Sequence, residues 1–492
     1  MLAPSRPWAA PTFAVLLLFA AGETANARGW GEVRFEPCEL KSERVPGLVD
    51  AECALFEVPE NRAAVGGRRI TLRLALVPSR SQAPEPDPVV MLAGGPGQSA
   101  IDSYPIAQAA LRPLLHKRHV LLVEQRGTGE SSPLKCPLPD WKLPAEQSMA
   151  AARDQASACL RRYAGKADTR HYTTSDYIAD LEQVRGALGI AQFNLVGGSY
   201  GTRVALEYLR RYPDAVRSVF IDSVVPPQLA LGQDHARNLD EALAAIGKRC
   251  SAVAACKERY GDVMATLRGL KEQVRRAPRE VSFRHARTNA EQRVPFGEAA
   301  LVGVARLFAY APQATALLPL LLDEAAQGRP EPLLAQAELL FSSLGDELAH
   351  GMELSVICAE DADLLQPRPE DRDTLLGNEF ADYIHAQCAV WPHGSRPPHF
   401  KQPVVSDKPV LLLSGQYDPV TPPRYAEQVA KSLSNSRNLV AKGQGHTPMG
   451  VGCMPRLLKE FVEKLQPRTL DASCLDTLGD MPFFVDYAGP TP

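Results

Sequence analysis

The 492-residue sequence lacks an excess of positive charge, with 54 Lys and Arg against 57 Asp and Glu and a formal net charge of −3. Proteins that bind nucleic acid usually carry a basic excess, so no nucleic-acid partner is expected. The sequence also lacks a run of 20 apolar residues, so no membrane-spanning helix is expected. No internal repeat divides the chain.

The Cys-x-x-Cys spacing is absent as well, which argues against a zinc site or a thioredoxin-like centre. Neither a metal nor a cofactor is expected. An even number of cysteines indicates disulfides when a chain is exported, as residues 1–27 of this chain predict. The sequence does not fix their pairing, but the spacing suggests five local bridges between consecutive cysteines, because short loops are the easiest to close. The ten cysteines are Cys38, Cys53, Cys136, Cys159, Cys250, Cys256, Cys358, Cys388, Cys453 and Cys474.

Residues 1–27 predict a signal peptide, although a buried N-terminal helix is the alternative. Arg6 supplies positive charge, Phe13 to Ala21 form a short apolar core, and Ala25-Asn26-Ala27 is a small-x-small cleavage site. The apolar core is too short to span a bilayer, and no cysteine beside the cleavage site offers a lipid anchor. The mature chain is expected to start at Arg28 and to be secreted or periplasmic.

Apolar runs alternate with helix-like segments over residues 28–227 and again over residues 401–492. Such alternation is typical of an α/β fold with a mostly parallel, buried sheet. Over residues 228–400 the strand patterns vanish and helical periodicity dominates, which predicts a helical cap inserted into one sheet, above its C-terminal strand ends. The strand-like runs are residues 69–79, 88–92, 119–123, 193–196, 216–221, 409–413 and 438–441.

The segment Gly197-Gly198-Ser199-Tyr200-Gly201 stands between an apolar run and a helix-like run. A strand, Gly-x-Ser-x-Gly and a helix together are the pattern of a nucleophile elbow, in which a strained turn exposes the serine hydroxyl. The alternative is a structural glycine turn. Ser199 is therefore the candidate nucleophile.

A serine nucleophile needs a base, and the base needs an orienting carboxylate. Asp418 follows the apolar run 409–413, and His446 follows the next run along the chain. Their order and strand-end positions predict a Ser-Asp-His triad. The competing acid is Asp222, and competing bases in the cap are His393 and His399, which have no preceding strand.

Acyl transfer also needs N–H donors for the oxyanion. The N–H of Tyr200 is the first candidate. The second is expected from the loop Ala93-Gly94-Gly95-Pro96-Gly97, with the Gly95 N–H preferred and the Gly94 N–H next. A plain Gly/Pro turn is the alternative for this loop.

Taken together, these motifs resemble the prolyl iminopeptidase and tripeptidyl aminopeptidase family of α/β-hydrolases. The resemblance covers nearly all of the mature chain, including the cap and a C-terminal segment like that of tripeptidyl aminopeptidases. It implies an α/β-hydrolase fold with a helical cap. The motifs that carry it are Gly94-Gly95-Pro96-Gly97, Gln125-Arg126-Gly127-Thr128-Gly129, Gly197-Gly198-Ser199-Tyr200-Gly201-Thr202, Asp418-Pro419-Val420-Thr421-Pro422 and Gly445-His446.

The resemblance implies an exported serine aminopeptidase that acts near free peptide N-termini through an acyl-enzyme. Such enzymes hold the substrate ammonium with cap carboxylates, and residues 355–361 resemble the segment with that role. Glu360 is the first candidate and Asp361 the second, with Glu353 nearby; a structural role for Glu360 is the alternative. Glu124 stands where the family usually has Asp, and a structural role is expected for it.

Two other functions stay open. An esterase or amidase acting on a small secreted molecule would use the same triad without needing a free amino group. A non-catalytic binding protein on the same scaffold is the third hypothesis. The expected partner is a peptide or small-molecule substrate, and the sequence leaves the oligomeric state open.

Overall fold

The computed structural model describes residues 27–490 except residues 43, 139, 144, 286 and 287. The predicted signal peptide therefore lies, apart from its last residue, outside the described residues. Within them, ten strands form one sheet in the order β1-β2-β3-β4-β6-β5-β7-β8-β11-β12. The strands are β1 Arg28–Trp30, β2 Val33–Leu40, β3 Val49–Pro59, β4 Arg69–Val77, β5 Val89–Leu92, β6 Val120–Val123, β7 Phe193–Gly198, β8 Val216–Asp222, β11 Val410–Gly415 and β12 Ser436–Ala441.

The sheet is antiparallel at one side and parallel over the rest. Strands β1 to β4 pair antiparallel, and β4 pairs antiparallel with β6. From β6 to β12 every pairing is parallel. The carboxyl ends of these six strands therefore share one edge, where α/β sheets carry their sites.

Helices cover both faces of the sheet. Some helices start with a side-chain cap: for example, the Thr173 hydroxyl accepts from the Asp176 N–H at the start of the helix Thr174–Ala187. The α-helices of the described residues are α1 Ala100–Leu111, α2 Ala145–Tyr163, α3 Thr174–Ala187, α4 Tyr200–Arg211, α5 His235–Ala252, α6 Ala254–Tyr260, α7 Val263–Arg276, α8 Glu298–Phe308, α9 Pro312–Ala326, α10 Glu331–Glu347, α11 His350–Glu360, α12 Glu379–Cys388, α13 Pro423–Ala430 and α14 Met454–Lys464. No helix among them is both long and apolar enough to cross a membrane.

The central strands are buried on both faces, so they read as continuous apolar runs. On β5, for example, Val90 and Leu92 pack into one apolar layer, and Val89 and Met91 pack into the layer on the opposite face. This division follows from the two-residue period of a strand. Burial on both faces is what fixes the sheet as the interior of the molecule.

The cap is the segment between β8 and β11, and it carries helices α5 to α12. It has an apolar core of its own, built mainly from α5, α7, α8, α9 and α10. Strands β8 and β11 pair with each other, so the sheet is continuous on both sides of the cap.

The expectation that strands vanish in the cap is wrong at one place. Two antiparallel strands, β9 Arg279–Arg284 and β10 Glu291–Phe296, form a separate hairpin. Val281, Phe283 and Val294 are buried in the cap core while most of their neighbours are exposed. The two-residue alternation of buried and exposed side chains is therefore present, but it is short and surrounded by helical patterns.

All ten cysteines pair as the spacing suggested, each with the next along the chain. The bridges are Cys38–Cys53, Cys136–Cys159, Cys250–Cys256, Cys358–Cys388 and Cys453–Cys474. Two of them fasten regions near the site: one joins α11 to α12, and another joins the start of α14 to the C-terminal segment.

Candidate active site

Ser199 occupies the sharp turn between β7 and α4. Its backbone has φ 52° and ψ −123°, a conformation that costs a non-glycine residue of the order of 1–3 kcal/mol. The neighbouring glycines are required by space. A Cβ at Gly201 would lie 2.2 Å from the Leu92 carbonyl oxygen, and one at Gly197 would lie 2.5 Å from the Gly201 carbonyl oxygen. The turn therefore has the geometry of a nucleophile elbow.

Asp418 and His446 meet at the ends of β11 and β12. The Asp418 Oδ2 atom lies 2.8 Å from His446 Nδ1. The same carboxylate accepts from the N–H groups of Val420 and Thr421 and from the hydroxyl of Ser223. Burial opposes the charged form, but the imidazole and these donors outweigh it and lower the pKa of Asp418 to about 2. The carboxylate is thus ionised and fixed behind the imidazole.

The competing residues take other places. Asp222 is fully buried, and its Oδ2 accepts from the Met449 N–H rather than from an imidazole. Burial raises the pKa of Asp222 well above its ordinary value. His393 lies against the Cys388 carbonyl, and His399 lies against Glu207 of α4.

The loop from Ala93 to Gln98 runs beside Ser199. A Cβ at Gly94 would lie 3.2 Å from the Ser199 Cβ, so this loop closely approaches the candidate nucleophile. Tyr200 is the first residue of α4, and its N–H therefore has no acceptor within the helix. The N–H groups of Gly95 and Tyr200 both belong to segments that meet at Ser199.

Glu124 fastens the start of α1, which follows this loop, and Arg126 fastens α3. The Glu124 Oε1 atom accepts from the Ser99 hydroxyl and the Ile101 N–H, at the start of α1. Burial raises the pKa of Glu124 to about 7. Arg126 is fully buried and makes a bidentate contact with Asp180, with N–O distances of 2.7 Å.

A cavity of about 680 Å³ lies between the sheet edge and the cap. Ser199, His446, Gly94 and Gly95 line its floor. Its walls are largely apolar, as is typical of a small-molecule or peptide pocket. Its charged lining residues are Arg44, Arg306, Glu347 and Glu353, with the imidazoles of His235 and His350 beside them.

Comparisons with known proteins agree with this architecture. Residues 87–246 match the family model described as the alpha/beta hydrolase fold, and residues 374–474 match the one described as TAP-like protein. The chain is an α/β-hydrolase with a TAP-like C-terminal segment.

Similar proteins carry peptidase names. The chain is 24% identical over 478 residues to the serine protease Hip1 of Mycobacterium tuberculosis, covering 87% of this chain and 88% of that one. It is 25% identical over 438 residues to the tripeptidyl aminopeptidase of Streptomyces lividans, covering 80% and 77%. The proline iminopeptidase of Neisseria gonorrhoeae is 28% identical over 141 residues, covering 29% and 34%. These relatives confirm the resemblance in the sequence, and the α/β-hydrolase is accordingly a serine hydrolase of a peptidase-like family.

The structure of this α/β-hydrolase does not bring Glu360 and Asp361 to the cavity, contrary to the expectation from the sequence. The Glu360 carboxylate accepts from the N–H and the hydroxyl of Thr174 at 2.7 and 2.8 Å. Asp361 pairs with Arg203 at 2.8 Å and with Lys401. Both carboxylates are buried, because the last turn of α11 packs against α3 and α4 instead of the cavity.

Burial raises the pKa of Glu360 to about 7, although the Arg203 guanidinium opposes that rise. In Asp361, burial is outweighed by Arg203 and Lys401, which lower its pKa below the ordinary value. This group of charges therefore joins the cap to the helix that follows the elbow, and it offers no oxygen to the cavity.

Glu353 reaches the cavity two turns earlier on α11. Its Oε2 atom lies 2.7 Å from His350 Nδ1, and His350 Nε2 lies 2.8 Å from the Gln387 side-chain nitrogen. Gln387 thus donates to Nε2, which leaves the proton on Nδ1, facing Glu353. Within the part of the chain that the structure describes, Glu353 Oε1 has no hydrogen-bond partner. In contrast, Glu347 at the cavity wall pairs with Arg44.

From the sequence alone, Glu353 is only the third candidate for the ammonium anchor, and His350 is not a candidate. A signal was available, since positions 350, 353 and 357 follow the helical period and all line the cavity. His350 and Glu353 form a polar pair on the same side of α11 as Ile357, and this pair marks the turn of the helix that faces the cavity. The pattern does not say where α11 leaves the cavity, which depends on its packing against α3 and α4.

Proposed function

We propose that this protein is an exported serine aminopeptidase in which Ser199, His446 and Asp418 form the catalytic triad. The proposal is carried chiefly by one observation: His446, which is paired with the buried Asp418, lines the same cavity as the elbow serine. The peptidase names of the relatives support peptide substrates.

In the proposed reaction, Ser199 Oγ attacks the scissile carbonyl carbon and its proton passes to His446. Asp418 stabilises the resulting imidazolium and holds its Nδ1–H. The N–H groups of Tyr200 and Gly95 donate to the oxyanion. The tetrahedral intermediate collapses as His446 protonates the leaving amine, and water then releases the acyl group from Ser199 by the same steps.

We place the anchor for the substrate ammonium at Glu353. A carboxylate in a mostly apolar pocket suits a charged amine, and Glu353 uses only its Oε2 atom to contact His350. Glu347 is less suitable because Arg44 already pairs with it. Glu360 and Asp361, which the sequence favoured, are replaced in this role because their oxygens are occupied in the protein interior.

The location that fits best is an oxidising compartment outside the cytoplasm. Five disulfides join all ten cysteines, and such bridges persist mainly in secreted and periplasmic proteins. The predicted signal peptide of residues 1–27 is the second reason. Export and cleavage are testable together by sequencing the N-terminus of the protein recovered from culture medium or periplasm, where Arg28 is the expected first residue.

The activity is tested with an aminoacyl-naphthylamide and its N-acetylated form. We expect the free-amine substrate to be cleaved with a kcat/KM at least about 100-fold higher, because an acetylated nitrogen carries no charge for Glu353. The Ser199→Ala variant is the control for contaminating hydrolases. Equal rates on both substrates would favour an esterase or amidase, and failure of a fluorophosphonate to label Ser199 would favour a binding protein.

A further inference from the structure

The cavity contains a cation that the reaction proposed above does not use. Arg306, near the end of α8, lines the cavity and makes no ion pair with a carboxylate in the part of the chain that the structure describes. Its guanidinium lies 5.0 Å from the centre of the Phe380 ring, and its Nη2 lies 3.3 Å from His235 Nδ1. A guanidinium in a partly dry pocket normally has an anionic partner, since desolvation without one is costly.

The neighbours of Arg306 are neutral groups. Burial and the charge of Arg306 lower the pKa of His235 to about 3, so that imidazole carries no charge at neutral pH. Burial raises the pKa of the Tyr310 phenol, which the Arg306 guanidinium only partly opposes. The contacts of Arg306 therefore orient its side chain without cancelling its charge.

The position of Arg306 relates it to the leaving group. Tyr310 lies between Arg306 and the triad. Its ring meets the His446 ring edge-on with centroids 5.1 Å apart, and its backbone carbonyl accepts from the backbone N–H of His446. In the proposed reaction His446 protonates the leaving amine. A group attached to that amine would thus leave toward Tyr310 and Arg306.

Glu353 approaches the cavity from the oxyanion loop. The residue before α11, Ala349, donates its N–H to the Gly97 carbonyl, so α11 starts at the loop that contains Gly95. Arg306 covers Phe380 of α12, and Glu353 lines the same cavity together with Phe380 and Tyr383 of that helix.

We propose that Arg306 binds the terminal carboxylate of the leaving residue, so that the enzyme prefers peptides of two or three residues. Glu353 and Arg306 line the same cavity, and an extended dipeptide, roughly 7 Å long, is the shortest peptide that carries a charge at each end. The substrate would be held at both ends, with its ammonium at Glu353 and its carboxylate at Arg306. This inference rests on the proposed aminopeptidase reaction for the position of the leaving group.

The test compares X-Ala with X-Ala-amide, where X is the residue that gives the fastest naphthylamide hydrolysis. The two substrates share one scissile bond and differ only in the terminal charge. For the wild-type enzyme we expect the ratio of kcat/KM, acid over amide, to be about 10 to 100, as for a charged hydrogen bond in a pocket. Arg306→Gln should bring this ratio close to one, and Arg306→Lys should retain part of it.

Fluorophosphonate labelling of Ser199 in each variant shows that the site is still assembled. A wild-type ratio near one would overturn the inference, and so would an Arg306→Gln variant that lowers both substrates by the same factor. The N-acetylated peptide separates the two proposals. If N-acetylated X-Ala is cleaved as fast as X-Ala, while X-Ala is still preferred over X-Ala-amide, the aminopeptidase assignment fails and the role of Arg306 stands.

Discussion

The sheet and the cap contribute different kinds of residue to one cavity. The sheet edge supplies the groups proposed for bond breaking, Ser199, Asp418 and His446, each in a turn directly after a strand. The cap supplies the charges proposed for substrate recognition, Glu353 and Arg306, from the interior of two helices. On this proposal, bond breaking depends on backbone turns at the sheet edge, whereas selectivity depends on how cap helices pack above them.

This difference predicts that substitutions on the sheet side abolish turnover, whereas substitutions on the cap side change substrate preference. Ser199→Ala should have the largest effect, a loss of at least about 10⁴-fold in kcat/KM on every substrate. Thermal melting should remain within a few degrees of the wild type. Residual turnover above a few per cent would show that the nucleophile lies elsewhere.

The next effect concerns the cap alone. Glu353→Gln should lower kcat/KM on free-amine substrates by about 10- to 100-fold through KM, because the amide keeps the shape and loses the charge. Simple esters without an amine should lose far less. Glu360→Gln is the matched control, seven residues away on the same helix, and it should leave the ratio between amine and ester substrates in place. The reverse pattern would return the anchor to Glu360.

Two disulfides offer a sharper form of the comparison. Removing Cys358–Cys388, which joins α11 to α12, and removing Cys38–Cys53, which joins β2 to β3, should each cost about 3–4 kcal/mol of stability by the loop-closure estimate. Both double Cys→Ala variants are compared by chemical denaturation. Only the cap variant should also lose preference for free-amine over N-acetylated substrates, by several-fold. An equal change in preference for both would mean that selectivity does not depend on the packing of the cap.

The last effect, on stability and not on turnover, is the pH dependence contributed by Glu124. Its folded-state pKa of about 7 exceeds the ordinary value of 4.5, so the folded protein binds this proton more tightly than the unfolded chain. The contribution of Glu124 to stability is therefore greatest below pH 4.5 and is lost as pH rises to about 7, by up to about 3 kcal/mol.

Glu124→Gln should remove that loss, since the amide oxygen can still accept from Ser99 and Ile101. The variant's stability relative to the wild type should thus rise between pH 5 and pH 8 in urea titrations. A difference in stability between the variant and the wild type that is constant from pH 5 to pH 8 would show that Glu124 keeps one protonation state.

The sheet side was predictable from the sequence because its signals are local. A buried strand followed by Gly-x-Ser-x-Gly, or by Asp418 in the loop after β11, is recognisable as a pattern within one short window. Strands β1 to β3 were not predicted, since their faces are only partly buried and their apolar pattern is correspondingly weak.

The cap side was not predictable to the same degree. Glu353 and Glu360 lie on one helix and differ only in what covers their turns, a fact of tertiary packing that the helical period does not contain. Arg306 could not be identified from the sequence for a further reason. An arginine without an ion pair is recognised only once its neighbours in space are known. The hairpin of β9 and β10 was missed because two six-residue strands are short against the helical patterns around them.

The most direct test of the whole account is fluorophosphonate labelling followed by peptide mass mapping, with a free-amine peptide or its N-acetylated form as competitor. We expect the label on Ser199 and protection by the free-amine peptide at concentrations at which the acetylated peptide gives none. A label on another residue, or equal protection by both peptides, would contradict the assignment of the chemistry to the sheet edge and of amine recognition to the cap.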